Sequence, residues 1–426
     1  MIELILSFFF IAMMFLYVSW LVLVLLPKKE GYNNEDYPPI SVLLPAHNEE
    51  AIIRDTIKAL REAKYPRIKQ IIVIDDGSTD KTGEILDELS SMDPNMLIIK
   101  TNHLGKANAL NRGLKSAEGD IIVTLDADSK VDVNALTDIT RPFADEKVGA
   151  VSGIIRGIVN RNILTWFQDF EYVLSSGWRY ALNNINSTYI FPGFAAYRRK
   201  ALASVGGFKQ DTLAEDFDIG VRLRKKDYRL VMSNAIIYTK MPQTIRGLIR
   251  QRMRWGRGTL QVIKKHPDVP FNKGFGAAGL YGIPSQMYWF LHSFVVIPLT
   301  FYQIFAGYLK YFAGYNDYLS FNVIKYFFNW FSVYGMIDYT EKALAGTYDF
   351  TFIFLLSMVV FLLGLFYNFA VIYRISTLKL RYIFVLFFFF PYSVFALASY
   401  SFPSIVELWP KKTDAALRVN VWEKNR

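Results

Sequence analysis

Residues 70–80 read QIIVIDDGSTD, a run of β-branched apolar residues that ends in two aspartates, a glycine and small polar residues. Such a run predicts a strand buried on both faces, and its polar end predicts a turn into a helix. Similar apolar runs at 40–45 (ISVLLP), 97–100 (LIIK) and 121–126 (IIVTLD) precede segments with helical patterns. This alternation predicts an α/β domain with a parallel sheet over residues 38–245.

The helices between these strands are predicted over about 50–64, 80–89 and 106–115, and a fourth is predicted to begin at about Val131. Ligands of open α/β sheets bind beyond the carboxyl ends of the strands. Polar segments follow all four predicted strands: PAHNE, DDGSTD, TNHLGK and DADS. The sequence therefore predicts a site at this edge of the sheet.

Two pairs of aspartates end predicted strands, and each pair has a structural and a functional interpretation. Asp75 and Asp76 suit a turn that leads to a helix N-cap, and they also suit hydrogen bonds to a nucleoside. Asp126 and Asp128, two positions apart on a loop, can converge on one cation. The chain has no cysteine and only four histidines, so the predicted metal is a hard cation held by carboxylates.

Two helix starts carry charged residues. Lys106 follows Gly105, where the helix dipole and the lysine charge both favour an anion, although a solvated first turn explains the pattern as well. Glu215 and Asp216 begin another helix, and complementarity to the dipole is their simplest explanation. The functional interpretation makes Asp216 a general base whose pKa is raised by burial and by nearby carboxylates.

A basic stretch, 246–284, follows the α/β domain. Between Arg246 and Lys265 there are seven basic residues and no acidic residue, which is typical of an amphipathic helix on anionic lipid. Within this stretch, Arg254 suits bidentate binding of a pyrophosphate, and Trp255 suits stacking on a sugar or a base.

Long apolar runs on both sides of these regions predict a multi-pass membrane protein. Residues 3–26 carry no charge after Glu3 and predict an uncleaved transmembrane helix within 1–27. Lys28 and Lys29 follow it, and the positive-inside rule then places the α/β domain in the cytoplasm. The C-terminal region, 285–408, contains three further runs that are long enough to span: 286–309, 350–373 and 382–405.

The number of spans depends on residues 319–337. Polar residues recur there at spacings of three and four, which favours an amphipathic helix in the interface over a span. Arg374 and Arg381 are cytoplasmic with four spans and external with five. The basic tail, 409–426, is cytoplasmic only with five spans, so the positive-inside rule leaves both counts open.

The net charge is +10, from 48 basic and 38 acidic side chains. Such a charge favours an anionic partner, namely nucleic acid, a membrane surface or a phosphorylated substrate. Nucleic acid is excluded as the partner because the basic residues concentrate between the α/β domain and the membrane segments.

The motifs PAHNE, DDGSTD, GKANALN, DAD, ED and QRMRW occur in one order. Together they resemble the membrane-bound family 2 glycosyltransferases, which include the hyaluronan, chitin, cellulose and poly-N-acetylglucosamine synthases. The resemblance covers about residues 38–265 by motif and the apolar flanks by layout. It implies a Rossmann-like GT-A catalytic domain beside a helical membrane bundle, and inverting transfer from a nucleotide sugar, most simply a UDP-sugar.

The resemblance also implies roles for the residues of the donor site. His47 and Glu49, with Asp75 and Asp76, are expected to hold the nucleoside, and Lys106 is expected to lie near the donor.

The same resemblance assigns the reacting end. Asp126 and Asp128 are expected to hold a diphosphate with Mg²⁺ or Mn²⁺, and Asp216 is expected to deprotonate the acceptor hydroxyl. The residues expected to bind the donor diphosphate and cap the acceptor end are Gln251, Arg254 and Trp255.

Three functions remain open. The first is a processive synthase that passes its glycan through its own helices. The second is a non-processive transferase that adds one sugar to a lipid, such as a polyprenyl phosphate, diacylglycerol or sphingoid lipid. The third, a transporter or scaffold with an inactive transferase domain, is disfavoured because every expected acidic position is filled.

Overall fold

A computed structural model of the protein describes residues 2–27, 37–313 and 320–408. Lys28 and Lys29, which carry the orientation prediction, and the basic tail 409–426 lie outside the described residues.

One mixed sheet of eight strands forms the centre of the α/β domain, in the order β3-β2-β1-β4-β7-β6-β8-β5. The strands are β1 (Ile40–Ala46), β2 (Ile68–Asp76), β3 (Met96–Thr101), β4 (Ile121–Leu125), β5 (Ser129–Val131), β6 (Val148–Gly157), β7 (Phe194–Arg198) and β8 (Arg229–Thr239). All four strands predicted from apolar runs are present, because a continuous apolar run is stable only where both faces of a strand are covered.

The sheet is not wholly parallel, so this part of the prediction was wrong. Strands β1 to β4 pair in parallel, but β7 lies antiparallel between β4 and β6. Residues 129–131 form the edge strand β5 against β8, where the sequence pattern predicted the start of a helix. Both differences come from pairing with strands far away in the chain, which local periodicity does not report.

Helices cover both faces of this sheet. The helices of the domain are α2 (Ile53–Glu62), α3 (Thr82–Ser91), α4 (Lys106–Ser116), α5 (Ala135–Thr140), α6 (Ile163–Asn184), α7 (Arg199–Ser204), α8 (Glu215–Arg224) and α9 (Ile245–Lys265). Helices α2, α3 and α5 bury their apolar residues in one core cluster, and α4, α7 and α8 bury theirs in a second. The two clusters hold the sheet from both sides, so its loops project from a rigid frame.

The remaining described helices are α1 (Ile2–Leu25), α10 (Ile283–Ala313), α11 (Phe321–Phe331), α12 (Tyr334–Leu344), α13 (Phe352–Ile375), α14 (Leu380–Phe387) and α15 (Phe389–Ser401). Among the described residues, four segments are long and apolar enough to cross a membrane: Ile2–Leu25, Ala278–Ala313, Phe352–Ile375 and Phe389–Leu408. Helices α11 and α12 have 11 residues each, about 16 Å of helix, so each is too short to span the hydrocarbon core.

The end of α13 lies beside the end of α1. The guanidinium of Arg374 donates to the carbonyl oxygens of Val24 (3.1 Å), Leu25 (3.4 Å) and Leu26 (2.5 Å). Helix α1 leads into the α/β domain, so Arg374 lies on the domain side of the bundle. This geometry favours residues 319–337 as a segment that does not span.

The apolar run 382–405 is not one helix. It is divided at Phe388 into α14 and α15, and residues 402–408 continue α15 as a 3-10 turn. The first turn of α15 contacts the α/β domain through Tyr392, whose hydroxyl donates to Glu171 on α6. The 3-10 turn after α15 contacts α9, where Arg257 Nε donates to Glu407 at 2.6 Å. Residues 389–408 therefore pack along the basic helix α9.

Candidate active site

Polar residues follow the carboxyl ends of three parallel strands at one edge of the sheet. Strand β1 ends at Ala46, β2 ends at Asp76 and β4 ends at Leu125. Because β1 pairs in parallel with both β2 and β4, these strand ends are neighbours. The sheet thus brings His47, Asp76 and Asp126 to one edge, where open α/β sheets bind ligands.

Two histidines stack at this edge beside Asp76. The ring centroids of His47 and His103 lie 4.0 Å apart, with their planes at 26°. The Asp76 carboxylate accepts the backbone N–H groups of Leu104 (3.0 Å) and Gly105 (2.8 Å), so only 1% of this residue is exposed. The carboxylate therefore orders the loop before α4, and the half-buried imidazoles present a flat face on which a base can stack.

Asp75 and Glu49 also contact backbone or side-chain groups of the chain itself. The Asp75 carboxylate accepts the N–H of Ser78 at 3.0 Å, and the N–H of Glu49 donates to Oγ1 of Thr82 at 2.8 Å. The turn interpretation of DDGSTD is therefore realised in the structure. Binding of a nucleoside by His47, Glu49 and the two aspartates stays a prediction.

Lys106 lies at the centre of the site and joins two carboxylates. Its Nζ lies 2.6 Å from Oδ1 of Asp126 and 3.2 Å from Oε1 of Glu215. Burial alone would lower the pKa of Lys106, but the charges of Asp126 and Glu215 outweigh it and raise the pKa. The first turn of α4 thus holds a permanent positive charge between the DAD and ED motifs.

Asp216 and its neighbour Glu215 have pKa values shifted in opposite directions. Burial, followed by the charge of Glu215, raises the pKa of Asp216 to about 6. Burial would also raise the pKa of Glu215, but Lys106 and Arg254 outweigh it and lower that pKa. One carboxylate of the pair therefore stays charged, while the other titrates close to neutral pH, as a general base requires.

A small cavity lies beside Asp216. Its walls include Lys106, Phe191, Gly193 and Tyr197. The aromatic side chains, which are buried, keep water away from the carboxylate and so account for its raised pKa. Asp216 and Lys106 thus line the same small cavity.

The two aspartates of the DAD motif have different partners. The Asp126 side chain is 27% exposed beside Lys106, whereas Asp128 is buried and accepts from Oγ1 of Thr239 and Oγ of Ser129, both at 3.2 Å. Within the described ranges, no group of three His, Asp or Glu side chains could hold a metal ion alone. A site with oxygen ligands and one accessible carboxylate, here that of Asp126, suits a Mg²⁺ or Mn²⁺ ion that also binds substrate phosphates. These residues fit such an ion, and the metal roles of Asp126 and Asp128 stay predictions.

Helix α9 supplies the other wall of the site. The guanidinium of Arg252 lies 4.4 Å from the ring centroid of Trp255, and its Nη1 donates to Oε1 of Gln251 at 2.5 Å. Arg254, on the same helix, is close enough to the ED pair to lower the pKa of Glu215. The structure thus brings Arg254 toward the centre and groups Gln251 with Trp255 around Arg252.

Several residues have partners at the site that the sequence did not predict. Glu215 pairs with Lys106, His103 stacks on His47, and Arg252 contacts both Gln251 and Trp255. His103 and Glu215 lie inside segments already singled out, so their positions carried a signal. Glu171, the partner of Arg252, lies 81 residues away on α6, and nothing in its local sequence indicates the contact.

Comparison with known proteins finds a family match for part of the chain. Residues 41–206 match the family described as Glycosyl transferase family 2. The probable glycosyltransferase YdaM of Bacillus subtilis (strain 168) is 35% identical over 247 residues, which cover 55% of this chain and 58% of that protein. The poly-beta-1,6-N-acetyl-D-glucosamine synthase of Staphylococcus aureus (strain COL) is 32% identical over 247 residues, which cover 56% and 58%. The chain therefore matches 58% of the length of both relatives.

A solved structure shares the fold over a larger part of the chain. It is the mannosyltransferase PcManGT from Pyrobaculum calidifontis in complex with GDP-Man and Mn²⁺, with a TM-score of 0.60 and 22% identity. The superposition covers 88% of this chain and 97% of that chain. The predicted GT-A fold with long apolar helices is confirmed, and residues 41–206 are similar in sequence to the glycosyl transferase family 2 domain.

Proposed function

We propose that this protein is an integral-membrane glycosyltransferase that transfers a sugar from a nucleotide sugar, with inversion, to a growing glycan that leaves through its own helices. The observation that carries the proposal is the position of Asp216. This carboxylate is buried, has a pKa raised to about 6, and shares a small cavity with Lys106. A base that titrates near neutral pH beside a fixed cation suits attack on a diphosphate-activated sugar.

The reaction follows from these positions. Asp216 accepts the proton of the acceptor hydroxyl as the hydroxyl oxygen forms a bond to the anomeric carbon. The bond between that carbon and the diphosphate oxygen breaks, and the electron pair leaves with the diphosphate. One carboxylate base on the face opposite the leaving group gives inversion.

The leaving group requires positive charge on the other side of the sugar. Lys106 and Arg254 supply two such charges, and both already influence the Glu215–Asp216 pair. Asp126 and Asp128 would hold a Mg²⁺ or Mn²⁺ ion, which would supply Lewis-acid stabilisation of the diphosphate.

The polymerising function is supported by the similarity to the poly-beta-1,6-N-acetyl-D-glucosamine synthase. The second candidate, transfer of one sugar to a lipid acceptor, is kept because the order of the motifs does not decide whether transfer is processive. We keep GDP-sugars beside UDP-sugars as candidate donors, because the mannosyltransferase of similar fold is a complex with GDP-Man. We further propose that the catalytic domain is cytoplasmic, at the cell membrane.

The test is donor turnover by the purified protein in lipid. A panel of UDP-sugars and GDP-sugars is supplied with Mn²⁺, with Mg²⁺ or with EDTA, and products are sized on gels and by mass spectrometry. We expect one donor to give a ladder or a high polymer, and EDTA to abolish turnover.

Each other result changes a stated part of the proposal. A product that carries a single sugar on lipid would replace the polymerising function by the second candidate. Nucleotide release without a glycosylated product would contradict the proposed acceptor and leave the transferase chemistry in place. No turnover of any donor would refute the proposed function as a whole.

A further inference from the structure

We propose that Glu171, Arg252 and Tyr392 form a positioning cluster that holds Gln251 and Trp255 of the QRMRW segment in their working orientation. This inference rests on the proposed glycosyl transfer, because it assigns these residues to the same site. It also gives the C-terminal segment 389–408 a part in that site.

The centre of the cluster is a buried bidentate ion pair. Arg252 is 1% exposed, and its Nε and Nη2 donate to the two carboxylate oxygens of Glu171 at 3.1 and 2.6 Å. A bidentate pair fixes both the position and the plane of the guanidinium. Because Glu171 is on α6, this pair ties α9 to the body of the α/β domain.

The fixed guanidinium then orients two residues of its own helix. Its third nitrogen, Nη1, donates to the side-chain oxygen of Gln251, and its face covers the indole of Trp255 at 4.4 Å. The ring of Tyr172 lies 6.1 Å from the indole. Trp255 is half-buried, so one part of the ring is held by the cluster and another part is free to contact a ligand.

Tyr392 closes the cluster from the C-terminal segment. Its hydroxyl donates to the Glu171 oxygen that also accepts Arg252 Nη2. The same segment packs Tyr392 and Ala396 against Leu248 of α9. A residue 221 positions away from Glu171 thus sets the orientation of the carboxylate that fixes Arg252.

The test uses three substitutions that change the cluster and leave the predicted ligand-binding groups in place: Arg252→Lys, Glu171→Gln and Tyr392→Phe. Lysine keeps the charge but loses the bidentate plane that covers Trp255. The matched controls are Arg246→Lys, an exposed arginine of α9, and Tyr373→Phe, an exposed tyrosine at the end of α13.

The first readout is the ratio of sugar transfer to donor hydrolysis. This ratio does not depend on how much of the enzyme is folded, so a merely structural role leaves it unchanged. Misplacement by about 1 Å costs about 100-fold in rate. We expect transfer to fall about 30- to 100-fold in Arg252→Lys and Glu171→Gln and about 3- to 10-fold in Tyr392→Phe, with hydrolysis changed less than about threefold.

The second readout is the emission of Trp255, which requires no turnover. The chain has eight tryptophans, so the contribution of Trp255 is taken as the difference between each protein and the same protein with Trp255→Phe. We expect Arg252→Lys to change the intensity of this difference spectrum by about half, and Arg246→Lys to leave it unchanged, because only Arg252 covers the indole.

Two results would overturn the positioning cluster. One is an equal loss of transfer and hydrolysis in all three variants, and the other is an unchanged Trp255 spectrum. If the wild-type protein turns over no donor, the proposed function fails, whereas the spectrum still tests whether Arg252 orients Trp255.

Discussion

Asp169 and Asp216 are both buried carboxylates of the α/β domain, but their surroundings differ. Asp169, on α6, is 0% exposed and accepts from Arg156 Nε (3.2 Å), Arg381 Nη2 (2.8 Å) and the Tyr382 hydroxyl (2.9 Å). Asp216 accepts the N–H of the adjacent residue at 2.9 Å and otherwise faces a small cavity.

The same burial has opposite consequences at the two positions. At Asp169 burial would raise the pKa, but Arg156 outweighs it and the pKa is lowered. At Asp216 burial and the charge of Glu215 together raise the pKa to about 6. A buried carboxylate that is paired with arginines thus stays charged and connects the helices and strands that carry them. A buried carboxylate beside a cavity and a second carboxylate remains able to take a proton.

The largest expected effect is on the activity of Asp216→Asn. The amide cannot accept the acceptor proton, so we expect kcat to fall at least about 1,000-fold. Thermal stability stays equal or rises, because a carboxylate that is costly to ionise is removed. Donor turnover and thermal unfolding measure the two effects. The matched control is Asp211→Asn, a surface position that pairs with Lys265, and a Tm loss in Asp216→Asn would contradict the contrast with Asp169.

The opposite pattern is expected for Asp169→Asn. Removal of this charge leaves the buried Arg156 and the partly exposed Arg381 without their carboxylate, which costs about 3 kcal/mol of folding free energy. We expect Tm to fall by about 5 °C or more, while the ratio of transfer to hydrolysis stays that of the wild type. A changed ratio at full stability would mean that Asp169 also acts on the site.

The two carboxylates also predict different pH dependences. Asp216 works as a base only when deprotonated, and its raised pKa means that kcat/KM should fall about tenfold from pH 7 to pH 5, with a midpoint near 6. The lowered pKa of Asp169 gives stability that is present above its ordinary pKa and is lost only as pH falls through the lowered value. Activity and Tm measured on the same samples between pH 5 and 8 test this. A midpoint of activity below about 4.5 would contradict the raised pKa.

The smallest expected effect concerns the side of the membrane on which the C-terminal segment lies. Tyr392 binds Glu171 in the first turn of this segment, and Glu407 binds Arg257 at its end, so the two ends contact the α/β domain and α9. Helix α9 is basic along its length and does not belong in hydrocarbon. We therefore expect α1, α10 and α13 to cross and residues 389–408 to stay on the catalytic side.

The absence of cysteine from the chain allows this topology to be mapped with single cysteines. We expect Thr377→Cys and Leu408→Cys to react from the same side as Ser91→Cys in the α/β domain, and Thr347→Cys to react from the opposite side, with little change in activity. Reaction of the Leu408→Cys variant from the side of Thr347→Cys would show that residues 389–408 cross.

The sequence by itself determined the strands and the polar tips of the site, because a covered parallel strand needs a continuous apolar run and its motif follows directly in the chain. On that basis His47, Asp76, Lys106 and Asp126 could be placed at the carboxyl edge of one sheet, whereas the role of Asp216 came from the family resemblance.

Only the tertiary structure decided which charges meet. Examples are the pairing of Lys106 with Glu215 and the antiparallel pairing of β7 with β4. Glu171 likewise contacts Arg252, 81 positions away, and Tyr392, 221 positions away. Local periodicity reports burial and helix or strand type, but it carries no information on distant partners. Those partners set the pKa values and orient Trp255, and they hold the run 382–405 against the catalytic domain.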